Sequence, residues 1–159
     1  MTDSSPRVSD PAPADESHHE TYGVVTATYK SMQRAIAEKL SMEGLTHPQF
    51  LALRAIAKKG AIGMRKISDE LLVTPANVTG IVDRLQEKGL ITRATRKGDR
   101  RASVIELTKE GKATHRAAAL RYGKLMQTAV EALTLEEQDV LRRLLEKLQR
   151  EMARSNLKP

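Results

Sequence analysis

The residues between positions 64 and 107 constrain the fold more than any other part of this sequence. A short helical segment from about residue 64 to residue 72 is soon followed by Thr74 and Pro75, which are favoured as the N-cap and the first residue of a helix. The helix that they begin carries apolar residues at a helical spacing and ends at Gly89. Two short helices joined by a turn of about two residues predict a helix-turn-helix.

Strand-like segments follow this helix pair. Residues 90–95 and 102–107 are rich in β-branched side chains, and the polar link between them, residues 96–101, contains Gly98. This pattern is typical of a hairpin. A helix-turn-helix followed by a hairpin predicts a winged helix-turn-helix, so the predicted fold class is mainly α with a small β-wing.

Longer amphipathic helices flank this segment on both sides. Apolar residues recur at steps of three and four from residue 20 to about residue 40, and again in two segments that follow Thr108 and Thr134. Thr46 and Thr134 each begin a capping box, with Gln or Glu three residues later. The apolar stripes of these long helices predict a homodimer, and a monomeric helical bundle is the alternative.

The charge of the chain is distributed unevenly. Residues 1–20 hold one Arg and five acidic residues, whereas residues 54–101 hold twelve cations and five acidic residues. A basic concentration of this kind favours binding to a polyanion, and its alternative is a solvated surface. The sequence has no Trp, one Phe and three Tyr, which disfavours single-strand binders that stack bases on aromatic rings. Duplex DNA is therefore the favoured partner.

Several function classes are excluded at this stage. The absence of Cys removes disulfides, thiolate nucleophiles and Cys-ligated zinc. No apolar run exceeds four residues and the N-terminus lacks an apolar signal segment, so we expect a soluble cytoplasmic protein that does not engage a membrane. The sequence carries no Gly-rich phosphate loop and no paired carboxylates in an apolar setting, so we expect neither an enzyme nor a metal or cofactor.

The helix that starts at Thr74 carries the candidate reading residues. If its apolar side faces the core, its other side presents small residues for close approach to bases and polar residues that match base edges. An Asn pairs with adenine, a Thr methyl touches thymine, and an Arg reaches guanine or phosphate. These outward residues are Ala76, Asn77, Thr79, Gly80, Asp83 and Arg84, of which all but Asp83 are candidate DNA contacts. Thr74 and the helix N-terminus suit a backbone phosphate. The alternative is a helix pair with a solvated outer face.

The hairpin link is a second candidate contact. Together with the preceding strand it holds five cations, Arg93, Arg96, Lys97, Arg100 and Arg101, and only one acidic residue, Asp99. A protruding cationic loop suits the neighbouring minor groove, where narrow A·T tracts attract Arg. Asp99 is interpreted as a residue that orients an Arg, and its alternative is a simple turn former.

The order and spacing of several motifs carry a resemblance to a known family. They are Thr74-Pro75-Ala76-Asn77-Val78-Thr79 after Ile67 and Leu71, the segment from Val82 to Arg93, Asp99-Arg100-Arg101, and Leu107-Thr108-Lys109-Glu110-Gly111. With these motifs, the sequence from about Tyr22 to Asn156 resembles the MarR family of dimeric transcriptional regulators. Gly63 departs from the pattern, because the family often places a capping Ser or Thr there.

The resemblance implies a domain layout and a function. The layout is a dimerisation helix at 20–45, a winged helix-turn-helix DNA-binding lobe at 46–107 and dimerisation helices at 108–159. The resemblance does not cover residues 1–19, which are mostly Ser, Asp, Ala and Pro without an aromatic residue and are therefore predicted to form a disordered acidic tail. The implied function is a sequence-specific regulator, a repressor, that binds a pseudo-palindromic operator as a homodimer. In this family Arg101 would enter the groove. A DNA-architectural protein without sequence choice is the alternative function.

The resemblance also implies a small-molecule effector. Members of the family commonly respond to a small phenolic or aromatic acid in a cleft between the lobes. The residues whose elements could line such a cleft are Tyr29, Arg34, His47, Arg54 and Tyr122. For each of them, packing or solvation is the alternative interpretation.

Overall fold

The described part of the chain consists of helices and a small two-stranded antiparallel sheet. A computed structural model describes residues 16–96 and 99–155. The elements, in chain order, are α1 (Glu16–Ser41), α2 (His47–Lys59), α3 (Met64–Leu71), α4 (Pro75–Glu87), β1 (Ile91–Arg96), β2 (Asp99–Leu107), α5 (Lys109–Glu131) and α6 (Leu135–Ser155). The mainly α fold class with a β-wing is confirmed. None of the helices within the described ranges is long and apolar enough to cross a membrane.

The chain divides into two units at residue 35. The first includes the N-terminal part of α1, and the second contains everything from Ile36 onward. In the first unit Tyr22, Val25, Tyr29 and Met32 are exposed. In the second unit a single core runs from the end of α1 through α2, α3, α4 and the sheet to α5; its most deeply buried large side chains are Leu40, Phe50, Leu53, Ile56, Ile67, Val78, Val82, Leu85 and Ile105.

Local capping explains where several helices begin. The Thr46 side chain accepts from the Gln49 N–H, and the Gln49 side chain accepts from the Thr46 N–H, which completes the predicted capping box of α2. Thr134 and Glu137 form the same reciprocal pair at α6, with N···O distances of 2.8 and 3.3 Å. Each cap satisfies backbone N–H groups that have no partner within the helix.

One helix boundary differs from the sequence prediction, and two N-cap residues make no side-chain hydrogen bond. Helix α1 begins at Glu16 rather than at residue 20, and acidic residues such as Glu16 and Glu20 favour a helix N-terminus electrostatically. Thr74 occupies the N-cap of α4 but its side chain makes no capping bond, and Gly63 likewise leaves α3 without one. Residues 1–15, which make up most of the predicted disordered tail, lie outside the described residues.

The wing is also longer than predicted. Strand β2 starts at Asp99, so residues predicted as a loop continue the antiparallel ladder, in which Ile91 pairs with Leu107 and Arg96 with Asp99. The register shifts between Thr95 and Arg96. Ile62 adds one bridge beside β2, with mutual backbone hydrogen bonds to Ile105 of 3.2 and 2.8 Å. The sheet therefore closes over the core through Ile91 and Ile105, which are both buried.

The first turn of α5 lies directly against the segment that joins α4 to β1. Gly111 is buried, and a Cβ atom built on it would lie 1.8 Å from the Leu90 carbonyl oxygen. No side chain fits that gap, so the close approach requires glycine. By contrast, Gly123 on the same helix has open space around the corresponding position.

An aromatic cluster packs α5 on α2. The Phe50 ring is buried, and its centroid lies 5.1 Å from that of Tyr122 and 6.1 Å from that of His115. His47 stacks on Tyr122 at 6.1 Å, and the Arg54 guanidinium lies 6.0 Å from the Phe50 centroid. The pKa values of His47 and His115 are lowered from about 6.5, first because burial removes water from the rings and second because Arg54 adds a nearby positive charge.

Replacement of Gly111 by Ala is expected to destabilise the protein by about 2 kcal/mol or more, because the new Cβ would overlap backbone that cannot rotate away. The matched control, Gly123→Ala, is expected to raise stability by roughly 0.5–1 kcal/mol through helix propensity. Thermal and urea unfolding of both variants measures the difference. Equal stability of the two variants would contradict the close packing of α5 on Leu90.

The two histidines are expected to make stability fall in mild acid. Since their pKa values are lowered in the folded state, the unfolded chain binds more protons once the pH drops below about 6.5. Their contribution is therefore fully present above that pH and is lost as the pH falls toward the folded-state pKa values. NMR titration of the ring protons and urea unfolding between about pH 7.5 and pH 5.5 test this expectation.

A His47→Gln and His115→Gln double variant serves as the control and should show a weaker pH dependence over the same interval. Folded-state pKa values at or above 6.5 for both rings would contradict the argument.

Candidate nucleic-acid interface

The two faces of α4 differ as its periodicity predicts. Val78, Val82 and Leu85 are fully buried and Ile81 is half-buried, so the rotation of the helix about its own axis is fixed by the core. The predicted outward residues Ala76, Asn77, Thr79, Gly80 and Arg84 are all exposed. The Thr79 hydroxyl donates to the Pro75 carbonyl oxygen at 3.2 Å.

The outer face of α4 borders a groove of about 420 Å³. The other wall of this groove is the N-terminal end of α2. The starts of α2 and α4 and the outer face of α4 therefore lie along one concave surface. Its lining residues are Thr46, Pro48, Gln49, Val73, Ala76, Asn77, Gly80, Ile81 and Arg84. No side chain longer than a methyl group projects into the groove at Ala76 and Gly80.

The start of α4 suits an anionic oxygen. Thr74 is exposed and extended, and since its side chain makes no capping bond, the first N–H groups of the helix keep their hydrogen-bonding capacity. Pro75 occupies the first helical position, where the N–H that it lacks would have no partner within the helix. The helix dipole adds a partial positive charge at this end.

An ion pair joins α4 to strand β1 at the base of the wing. Arg93 on β1 and Asp83 on α4 approach within 2.5 Å, and both side chains are about half exposed. Asp99 is the one acidic residue within the wing sequence, and the structure adds Asp83 of α4 as the partner of Arg93. The pairing depends on how β1 crosses α4, which no local pattern indicates.

The described structure covers the wing only in part. Arg96, Asp99, Arg100 and Arg101 are placed as backbone positions of β1 and β2, which extends the ladder to the Arg96–Asp99 pair. Their side chains and the whole of Lys97 lie outside the described residues. The predicted orientation of an Arg by Asp99 therefore stays a prediction.

Three of the five candidate effector residues come together. His47, Arg54 and Tyr122 surround Phe50, in the cluster between α2 and α5. Tyr29 and Arg34 belong to the other unit and are exposed, and the Tyr29 hydroxyl accepts from the Gln33 amide at 2.6 Å. Sequence reasoning missed Phe50 and His115, because an isolated Phe or His in a helix gives no sign of its partners.

A second groove of about 460 Å³ lies beside this cluster. The C-terminal half of α2, the end of β2 and the first turns of α5 form its walls. Ile56 and Leu107 supply apolar surface, while Lys112, His115 and Arg116 supply cationic or ionisable groups on one side of α5. Glu106 adds one carboxylate to the lining, so the groove combines an apolar wall with two cations and one acidic residue.

Comparisons with known proteins agree with this architecture. The MarR family model matches residues 45–103, which include α2, α3, α4 and most of the wing. The chain is 30% identical over 111 residues to the HTH-type transcriptional repressor MdtR of Bacillus subtilis, covering 70% of this chain and 72% of that protein. It is 31% identical over 121 residues to the HTH-type transcriptional regulator PrsX of Escherichia coli, covering 75% and 73% of the two chains.

Solved structures give the same result. A mutant MarR of E. coli in complex with operator DNA superposes with a TM-score of 0.70 at 28% identity, covering 79% of this chain and 90% of that one. A MepR-like protein superposes with a TM-score of 0.64 at 33% identity, covering 82% and 92%. On these similarities of sequence and fold, the chain belongs to the MarR family, and it is a DNA-binding transcriptional regulator and not an enzyme.

Proposed function

We propose that this regulator is a repressor that binds a pseudo-palindromic operator as a homodimer, with α4 in the major groove. The observation that carries the proposal is the outer face of α4. It is exposed and polar, and its side chains at Ala76 and Gly80 are small. A helix with such a face approaches base edges closely enough for direct hydrogen bonds. The name of MdtR as a repressor and the operator complex of E. coli MarR support the same function by similarity.

Each outward residue takes one role in this proposal. Asn77 reads adenine through its amide, Thr79 contacts a thymine methyl, and Arg84 reaches guanine or a phosphate. Thr74 and the N–H groups at the start of α4 hold a backbone phosphate, which fixes the depth of the helix in the groove.

The wing contributes a second contact to each half-site. Arg96, Lys97, Arg100 and Arg101 are concentrated in the sequence between positions 96 and 101, and Arg101 stands where the family places its groove-entering arginine. A cation at this position gains from the strong negative potential of a narrow minor groove. Asp99 orients Arg101 in this proposal. The ion pair between Asp83 and Arg93 supports a contact by the wing, because this pair links β1, at the base of the wing, to α4.

Dimerisation follows from apolar surface that the single chain leaves uncovered. On α6 a continuous stripe is exposed, comprising Leu141, Leu144, Leu145, Leu148 and Met152. Leu120 on α5 is 75% exposed, and the exposed stripe of α1 runs from Tyr22 to Met32. Contiguous apolar patches of this size mark protein interfaces. A second copy of the chain is the occupant that a palindromic operator requires. We therefore assign 20–45 and 108–159 to dimerisation and 46–107 to DNA binding.

A small aromatic acid is proposed as the effector. Arg54 lies over the Phe50 ring beside His47 and Tyr122, and the adjoining groove adds Lys112 and Arg116 next to apolar Ile56. Cations beside aromatic and aliphatic surface suit a carboxylate attached to a ring. No resident metal or cofactor is expected for this function.

A regulator that reads sequence should lose specificity when Asn77 is replaced by Ala. Footprinting on the DNA upstream of its own gene locates the operator as a two-fold protected site. Asn77→Ala is then expected to weaken operator binding by roughly 1–3 kcal/mol per half-site and to leave binding to random duplex unchanged, because Asn carries no charge.

The matched control is Arg150→Ala, an exposed cation on α6 whose loss should not change the ratio of operator to random binding. A DNA-architectural protein predicts a different outcome: no protected site, and equal binding by wild type and Asn77→Ala to both duplexes.

The intact protein should sediment as a dimer of twice 17.6 kDa at micromolar concentration. Leu144→Asp combined with Leu148→Asp is expected to give monomers, because two charges would be buried in the proposed interface. Leu72→Asp is the matched control, since Leu72 is 92% exposed in the turn between α3 and α4 and should not affect association. A monomeric wild type would refute the proposed dimer.

A further inference from the structure

The segment that follows α4 is hydrogen-bonded directly to the start of α5. The Thr108 N–H donates to the Leu90 carbonyl oxygen at 3.1 Å, and the Thr108 hydroxyl donates to the Gly89 carbonyl oxygen at 2.7 Å. The same hydroxyl oxygen accepts from the Gly111 N–H at 2.9 Å. The Thr108 side chain therefore caps α5 and at the same time binds the link between α4 and β1, while Gly111 allows the two segments to touch.

The C-cap residue of α4, Lys88, is also bonded to the turn that follows α1. The Lys88 ammonium donates to the Gly44 carbonyl oxygen at 2.5 Å and to the Gln49 side-chain oxygen at 3.2 Å. On the other side of this turn, the Arg121 guanidinium binds the Glu43 carboxylate at 2.7 Å. The turn is thus held between α4 and the middle of α5.

The two attachments lie far apart along α5. Thr108 precedes the first residue of the helix and Arg121 lies in its middle, a separation of roughly 20 Å at the rise of an α-helix. Contacts at two points so far apart along α5 restrict how far the end of α4 can pivot relative to α5. The direction of α4 is therefore tied to the direction of α5.

We propose that Thr108 and Lys88 are positioning residues that set the half-site spacing this regulator accepts. The inference rests on the proposed dimer, in which α5 belongs to the dimerisation lobe and each α4 enters one half-site. Half-site centres about one helical turn apart lie on the same side of the duplex. One extra base pair moves a half-site by about 3.4 Å and rotates it by roughly 35°, so a rigidly held pair of recognition helices must discriminate against it.

The experiment compares the footprinted operator with versions that carry one base pair added or removed at its centre. Wild type is expected to bind the altered spacings about tenfold or more weakly. Thr108→Val removes both hydroxyl bonds, so its discrimination between spacings should fall to about twofold, with weaker binding to the natural spacing. Thr108→Ser keeps the hydroxyl and should restore the wild-type ratio.

Thr134→Val is the matched control. It removes the capping hydroxyl of α6, whose partner is the Glu137 N–H, and it touches neither α4 nor its attachments. A merely structural role for Thr108 predicts that both variants lose stability and that neither changes the spacing ratio. Circular dichroism and sedimentation at the binding temperature identify the folded, dimeric fraction of each variant.

Lys88→Met tests the second attachment independently and keeps the inference falsifiable if Thr108→Val does not fold. It is expected to relax spacing discrimination severalfold, whereas Lys66→Met, the same charge change at an exposed site on α3, should leave the ratio unchanged. Wild-type binding without sequence preference would overturn the proposed function itself. Wild-type discrimination that Thr108→Val and Lys88→Met retain in full would overturn only the positioning role.

Discussion

The burial of one side of α4 against the core is the interaction on which the rest of the structure depends. Val78, Val82 and Leu85 are inaccessible to solvent and pack in the same core as Leu53 and Ile67. Burying three aliphatic side chains contributes several kcal/mol, far more than any exposed polar contact on this helix. The rotation of α4 is therefore set from inside the lobe, and the residues that face outward are those left over once the core is satisfied.

The contact between α5 and the DNA-binding lobe uses two kinds of close fit. At its first turn α5 touches the Leu90 backbone through a glycine, and in its middle it packs Tyr122 and His115 on the Phe50 ring. Both contacts are intolerant of added volume, because protein interiors are packed about as densely as organic crystals. A regulator needs such a junction, since a ligand or partner that acts on α5 can alter α4 only if the two move together.

Most of the fold could be predicted from the sequence because its determinants are local. Thr46 and Thr134 begin capping boxes within four residues, and the apolar period of α4 identifies both its faces. The contacts that could not be predicted join residues distant in sequence: Lys88 with Gly44, and Arg121 with Glu43. The start of β2 at Asp99 was missed because backbone pairing extends a strand through polar residues that show no alternation.

The ion pair between Asp83 and Arg93 has a consequence for how this protein responds to salt. DNA binding releases counterions from phosphates in proportion to the cations that neutralise them. Arg93 already has a carboxylate within 2.5 Å, as Arg121 has within 2.7 Å, so these guanidinium groups are compensated before DNA arrives. The salt dependence of binding should therefore correspond to fewer cations than the 27 in the sequence. The slope of log K against log salt concentration counts the cations that neutralise phosphates in the complex.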